Sequence, residues 1–426
     1  MKNIQKIALV TMFALSLSIL ASGQTTFTVL KVAGSTPNTL TGINNSSQVV
    51  ANIGTSTSYD VSIWNRTNGY HGIGLTGLNS GAAAIDSSGD LVGAGDPDNS
   101  GVFQAFVYRP ASGVQWLGTL GGQLSAASGV NDSGAVVGLS YTGADTQHAF
   151  FWTPDGGMQD LTPELTSIGG ATAVAVNSSN EVVGYSFPNG SKLPVGFNWT
   201  EASGLQNFGA PGTLALAVND AGVIAGQAPN AKGFKHAVTW TPSGAMTDLG
   251  TLGGSSSTAL GINNNGWVVG TSLTTSENGL LHAFLWTPSL GMQDLAVLSP
   301  FSQSLQPYSV QINDFGVVAM STNKGIQLLI PKMTASITAS ANPVVAGQPV
   351  TFTVSVNSIV GAPPNGETVS FKLDKNPVGS VTLTSGIAIL TMTAPAAGSY
   401  TVSAYYTGDV NYLASANATL DLTVNP

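Results

Sequence analysis

Gly261-Ile262-Asn263-Asn264-Asn265-Gly266-Trp267-Val268-Val269-Gly270 is the stretch whose reading decides the fold. Asn263 opens a tight turn, because its side chain can accept a hydrogen bond from the backbone two residues on. Gly266, three residues later, suits the left-handed conformation that closes such a turn. Val268 and Val269 then start a β-strand. The ten residues therefore describe a hairpin. The same pattern recurs around Asn44, Asp86, Asn131, Asn177, Asn219, Asn263 and Asn313, at intervals of 42, 45, 46, 42, 44 and 50 residues. The left-handed position is Gly89, Gly134, Gly222, Gly266 or Gly316 in five copies, Asn180 in another and Ser47 in the first.

Two further pieces follow each hairpin. One reads His148-Ala149-Phe150-Phe151-Trp152-Thr153-Pro154, with counterparts at His236–Pro242 and His282–Pro288, and weaker versions ending at Trp64, Tyr108 and Trp199. It is a strand stopped by a proline turn. The other, Gly291-Met292-Gln293-Asp294-Leu295 or Met246-Thr247-Asp248-Leu249-Gly250-Thr251-Leu252-Gly253-Gly254, reads as a fourth strand. Four strands in about 44 residues, repeated around the chain, predict a seven-bladed β-propeller. The seventh copy lacks its fourth strand, because Pro331 follows Ile326–Ile330, while Phe27–Val32 is an orphan strand near the start. Pairing those two would latch a ring and remove an exposed edge. An open β-solenoid is the competing arrangement.

Residues 25 to 331 resemble the HAF-repeat family of bacterial extracellular proteins. The likeness rests on His-Ala-Phe at His148–Phe150 and His282–Phe284, on Met246–Gly254, and on the Asn263 hairpin. Val238 replaces Phe in the copy between. The resemblance implies secretion by a bacterium and a repeat architecture, and it implies no activity.

Ahead of the repeats, Lys2 and Lys6 precede the 14-residue apolar run Ile7–Leu20, and Ala21-Ser22-Gly23 supplies small residues before Gln24. This is the pattern of a cleaved secretory signal over 1–23, and the run falls short of the ~20 residues that span a bilayer. No other segment has the length and apolarity to cross one. The repeats are assigned to 24–332 and a last domain to 333–426.

That last domain alternates strand and turn. Strands are expected at Ala335–Ala339, Pro349–Val356, Thr368–Leu373, Ser380–Thr384, Ile387–Met392, Ser399–Tyr405 and Thr419–Val424. Seven strands in about 95 residues predict an immunoglobulin-like β-sandwich. Tyr406-Thr407-Gly408-Asp409-Val410-Asn411-Tyr412 resembles the Tyr-x-Gly-Asp-x-x-Tyr segment of bacterial Ig-like repeats. In such families the module is mostly a spacer or adhesive unit.

Composition narrows the chemistry. Of 426 residues only 8% are charged, against a usual ~25%, and none is cysteine. Disulfides, thiolate metal sites and cysteine nucleophiles are thereby excluded. The formal net charge is -9; removing Lys2 and Lys6 leaves 10 basic and 21 acidic residues, or -11. Such a surface repels nucleic acid and anionic lipid.

The candidate site residues read mainly as structural. His148, His236 and His282 share one repeat position, so their role is packing or cross-strand pairing; a catalytic centre needs different groups converging. His71 stands alone in a loop. Trp64, Trp152, Trp199, Trp240 and Trp286 share one strand position and are assigned to the core. Each buries ~150–250 Å², worth at most ~4–6 kcal/mol. Trp116 and Trp267 fall outside that register and are the better ligand-contact candidates. Asp96-Pro97-Asp98-Asn99-Ser100-Gly101 begins like a calcium loop, but position 12 is Val107 instead of an acid, so a solvated hairpin turn is expected. Asp160, Asp248 and Asp294 read as turn acids at strand ends. No nucleophile-elbow, zincin or P-loop motif appears. No catalytic, metal or cofactor residue is assigned. The expectation is a secreted, non-catalytic binding or scaffold protein that presents propeller loops to a glycan, peptide or surface polymer. A structural envelope or matrix component, and a polysaccharide-active enzyme, are the alternatives.

Overall fold

In the computed structural model, the described residues are 26–32, 38–54, 59–75, 80–165, 170–188, 191–275, 279–299 and 307–426. The secretory leader expected over 1–23 lies outside them. Each Asn hairpin lies between the first and second strands of a four-stranded antiparallel sheet, and seven such sheets form. The fifth is representative, with strands Leu214–Val218, Ile224–Pro229, Lys235–Trp240 and Met246–Gly250 in spatial order. The fourth strand ends at Gly250, and Gly253–Ile262 already belongs to the sixth sheet, so within the Gly-Thr-Leu-Gly-Gly run only Thr251 and Leu252 form the connection.

The seventh sheet is completed from the other end of the chain. Phe27–Lys31 pairs antiparallel with Gly325–Pro331, from Phe27 opposite Pro331 to Lys31 opposite Gln327. The inner strands touch their neighbours in cyclic order, and Asn38–Ile43 of the first sheet meets Pro307–Ile312 of the seventh. The fold is thus all-β and propeller-like.

The turn chemistry is as the sequence predicts. The left-handed position has positive φ in every copy, from 51° at Ser47 and 62° at Asn180 to 87° at Gly89. The glycine after Val-Val has a separate cause. Every first strand shifts register against the second, as between Ala259 and Gly261. In five sheets a carbonyl then faces the second strand so closely that a Cβ on Gly93, Gly138, Gly184, Gly226 or Gly270 would lie 1.9–2.1 Å from it.

Packing between sheets uses the repeated aromatic position. Trp64, Trp152, Trp199 and Trp240 are 4–8% exposed and sit opposite a Val or Ile of the second strand. Trp286 holds the same register opposite Val268. These are core residues, as expected.

Residues 334–425 form the second unit. Thr334–Ala339, Pro349–Asn357 and Ile387–Thr393 make one sheet. Val344–Val345, Ala418–Asn425, Gly398–Tyr406, Thr368–Leu373 and Asn376–Thr382 make the other. Val350, Phe352, Val369, Phe371 and Val402 fill the space between them. The short strand Val344–Val345 was not anticipated. Among the described residues, the one helix is Leu295–Leu298, and no helix is long and apolar enough to cross a membrane.

Candidate functional site

Three places on the molecule gather polar side chains. The first is axial. The hairpins converge on a pocket of about 200 Å³, lined by one apolar residue and two polar residues from each sheet. Each hairpin Asn serves two strands at once. Its Oδ1 accepts from the amide four residues on and, in all but Asn219, also from the amide two residues on, as Asn263 does from Trp267 and Asn265 at 2.9 and 3.1 Å. Its Nδ2 donates to the backbone carbonyl of the next hairpin. Asn44 reaches Asp86, Asn131 reaches Asn177, Asn177 reaches Asn219, Asn219 reaches Asn263, Asn263 reaches Asn313 and Asn313 returns to Asn44, all at 2.7–3.1 Å. The interval of 42 to 50 residues seen in the sequence is the span of five of these links, and the sixth, from Asn313 to Asn44, spans 269.

The seventh link lacks a donor, because Asp86 has no amide hydrogen to give. Asp86 Oδ1 accepts from Ser88 and Asp90 as an Asn would, at 2.9 and 2.8 Å. In the other six copies an Nδ2 at this position reaches the carbonyl of the next hairpin, which here is that of Asn131. Burial raises its pKa from 3.8 to about 6, against the pull of the Asp90 amide; the charges of Asp90 and Asp132 add to the rise.

The residues that follow in each turn add further links between neighbouring hairpins. Asp132 accepts from the Ser87 amide at 2.9 Å and from its hydroxyl. Asp220 accepts from the Ser178 amide at 2.9 Å, and Asp314 accepts from the Asn264 amide at 2.8 Å. Burial acts to raise the Asp220 pKa, but bonds from Ser178 and Asn264 outweigh it and leave the pKa below the usual value. Asp132, Asp220 and Asp314 are thus engaged in joining sheets, whereas the Asp86 carboxylate bonds only within its own turn.

The second place is the opposite end of the sheets. His148, His236 and His282 each set Nδ1 against an Asp twelve residues on, at 2.7 Å to Asp160, 2.9 Å to Asp248 and 2.8 Å to Asp294. The cross-strand role expected for the histidines holds. The acids also cap turns, accepting from Thr162, Gly250 and Ala296. The surroundings differ. The chain after Asp160 folds back so that the Leu165 carbonyl meets His148 Nε2 at 2.9 Å. After Asp294 it forms the short helix, burying Leu295. After Asp248 it turns at once at Gly250 (φ 77°). The His236 and Asp248 side chains are therefore 18% and 41% exposed, against 7% and 27% for His148 and Asp160. They open onto a cleft of about 470 Å³.

The third place is the junction with the sandwich. Asn411 is 3% exposed and lies against the first and seventh hairpins. Its Oδ1 accepts from Ser47 Oγ at 2.6 Å and Asn313 Nδ2 at 3.3 Å, and its Nδ2 donates to the Asn45 carbonyl at 3.0 Å. Tyr412 Oη donates to the Phe315 carbonyl at 3.0 Å, and the two rings meet edge to face at 6.1 Å. Arg66 donates to the carbonyls of Asp409 and Val410 at 2.9 and 3.1 Å. The Tyr406–Tyr412 segment thus fixes the sandwich to the Asn-turn end.

The remaining candidates are placed as follows. Trp116 packs edge to face on Phe106 at 5.8 Å, and Trp267 packs against the Val269–Leu285 cluster; both are half-buried. His71 is exposed on the strand Gly69–Gly72 opposite Ile63; it is not in a loop. Both carboxylate oxygens of Asp96 accept backbone amides, from Ser100 at 3.0 Å and Gly101 at 2.7 Å, and Asp98 accepts from Ser100, which is the geometry of a plain turn. Val107 is buried in a strand. Among the described residues no group of three or more His, Asp or Glu could hold a metal ion. Sequence reasoning missed the His–Asp pairs, although their constant twelve-residue spacing was visible, and missed Asn411 and Asp86.

The fold and these contacts define a propeller-like domain carrying a docked immunoglobulin-like sandwich. Residues 337–425 match the bacterial Ig-like domain (group 3). Among curated proteins none matches the chain. Solved structures with a similar course include the extracellular domain of a candidate hybrid two-component system from B. thetaiotaomicron, at 12% identity and a TM-score of 0.41, covering 94% of this chain and 58% of that one. Another is the extracellular domain of a candidate one-component system from the same organism, at 10% and 0.42, covering 95% and 59%. A gluconolactonase from Xanthomonas campestris matches at 10% and 0.38, covering 71% and 89%. The chain spans about three fifths of the length of the first two.

Proposed function

We propose that this is a secreted, non-catalytic binding protein of the HAF-repeat type. In this reading the seven sheets are blades of a closed seven-bladed β-propeller, and the end face opposite the sandwich contacts an extracellular polymer. The carrying observation is the docking of Asn411 and Tyr412 across the first and seventh hairpins. A sandwich held there occupies the Asn-turn end and leaves the other end, with its second-to-third-strand turns, free. The axial carboxylates support a non-catalytic role, because they are engaged by neighbouring amides and the pocket lining contains no histidine. The His–Asp pairs repeat in one register, as structural features do. The charge-poor, cysteine-free composition and the Lys2–Gly23 leader support export.

The test is retention of the mature chain on an array of insoluble polysaccharides, cell-wall preparations and extracellular proteins. Binding to at least one is expected. Uniform failure to bind, with self-assembly in light scattering, would instead favour a structural component.

A further inference from the structure

The open cleft of the fifth sheet combines two features that elsewhere occur apart. The His–Asp pair occurs in the third, fifth and sixth sheets. The immediate glycine turn occurs after the second and fifth, where Thr119 and Thr251 donate to Gly122 and Gly254 in the same way. In the second sheet Trp116, opposite Phe106, fills the position that Asp248 holds opposite Val238. Only the fifth sheet, among the described residues, pairs a His–Asp dyad with a turn that leaves it uncovered.

The polar groups there are fixed. Asn230 Oδ1 accepts from the Lys232 and Phe234 amides at 2.9 and 3.1 Å, so its Nδ2 points at His236 Nε2, 3.1 Å away. His236 therefore accepts at Nε2 and donates from Nδ1 to Asp248. His236 Nδ1 lies 3.0 and 2.9 Å from the two Asp248 oxygens and the Gly250 amide donates to Oδ1 at 2.8 Å, yet the Asp248 side chain keeps 41% of its surface exposed, so its oxygens can still accept from a ligand. Phe234 stands at the rim, 49% exposed, with Lys232 and Ser255 also lining the space.

We propose that this cleft is a binding subsite for a neutral saccharide, with Phe234 as the platform for one sugar ring and Asp248 as the acceptor of its hydroxyls. The volume of about 470 Å³ falls within the ~300–1,000 Å³ of small-molecule sites. A pyranose ring has an apolar C–H face to lay on an aromatic ring and a hydroxyl edge to donate to a carboxylate. An acidic sugar would meet Asp248 and the mature chain's net charge of -11, against a single lining cation, Lys232. The subsite rests on the binding reading above and names its ligand class.

The experiment is calorimetric titration of the full mature chain with cellotetraose, xylotetraose, mannotetraose and maltotetraose, and with trigalacturonate as the acidic counterpart. At least one neutral oligosaccharide should bind, and the acidic one at least tenfold more weakly. Phe234→Ala should weaken binding at least tenfold, Phe234→Trp should retain it, and Met246→Ala, exposed on the same sheet outside the cleft, should change nothing. An unchanged melting temperature in each variant shows that folding is intact. Saccharide binding that survives Phe234→Ala overturns the subsite. Capture of a protein or cell-wall polymer on the array with no oligosaccharide binding overturns the subsite and leaves the broader reading standing. Failure on both overturns both.

Discussion

Asp86→Asn should make this protein more stable, and more so at neutral pH than in acid. The substitution supplies the one amide hydrogen missing from the hairpin ring. In the native chain the Asp86 carboxyl is 6% exposed and its proton affinity is raised from pKa 3.8 to about 6. Burial is the leading cause, and the groups facing it are Asp90, itself paired to Arg109 at 3.2 Å, and Asp132 across the hairpin boundary. The folded state thus binds this proton more tightly than the unfolded chain does. Its contribution is fully present below about pH 3.8 and is lost as pH rises through about 6. At about 1.4 kcal/mol per tenfold change in proton affinity the ceiling is about 3 kcal/mol. Local relaxation and water reduce that, and a restored Nδ2–H bond to the Asn131 carbonyl adds about 1 kcal/mol. We expect Asp86→Asn to stabilise by about 2–3 kcal/mol at pH 7.5 and by under about 1 kcal/mol at pH 4, where the protonated acid already donates. Calorimetry of both proteins at the two pH values reads this as a rise of about 3–5 °C that shrinks in acid. Comparing variant with parent cancels the titrating groups other than Asp90 and Asp132, whose charges act on Asp86. A lower melting temperature at pH 7.5, or an equal rise at both pH values, refutes the reasoning.

Asn313→Asp makes the converse change at the link that returns to Asn44; it should destabilise by about 2–3 kcal/mol at pH 7.5 and by less at pH 4, read by the same calorimetry. Gly270→Ala places a Cβ 2.0 Å from the Thr258 carbonyl and should destabilise by about 2–3 kcal/mol in urea unfolding, whereas Gly266→Asn in the turn above it, with φ 74°, should cost less than about 1 kcal/mol. Asn411→Ala leaves Ser47 Oγ and the Asn45 carbonyl without their partner and should destabilise by about 2 kcal/mol, with faster hydrogen exchange at the Ser47 and Asn313 hairpins as the local readout.

What the sequence revealed, and what it concealed, follows from the range of each interaction. Turn geometry is local. The side chain at Asn263 and the φ at Gly266 are set within five residues, so both were readable from one copy. The strand Phe27–Lys31 was readable because its partner was conspicuously short of a fourth strand. The Nδ2 bonds are not local, since each acceptor lies 42 to 50 residues away or, for Asn313, back at Asn44. Nothing in a single copy says that Asn must be a donor as well as an acceptor. For the same reason Asp86 read as equivalent to Asn: within its own turn it is. Only the neighbouring hairpin distinguishes them. His236 and Asp248 were each assigned to structure, and each has a structural role. Their exposure depends on the chain after Gly250, whose course no residue type in the dyad dictates.

Ser47 shows how one departure from a repeat carries information about another domain. Five copies place Gly at this turn position, and a serine held at φ 51° is a less favourable choice than glycine. Its Oγ donates to Asn411, 364 residues away, and Asn411 in turn touches both the first and seventh hairpins. That is the boundary where the ring is joined by non-covalent contacts between the two ends of the repeat array, in addition to the Phe27–Lys31 pairing. A sandwich seated there braces the joint it covers. The same seat directs it away from the face where the His236 cleft opens, so bracing the ring and keeping that face accessible follow from one contact.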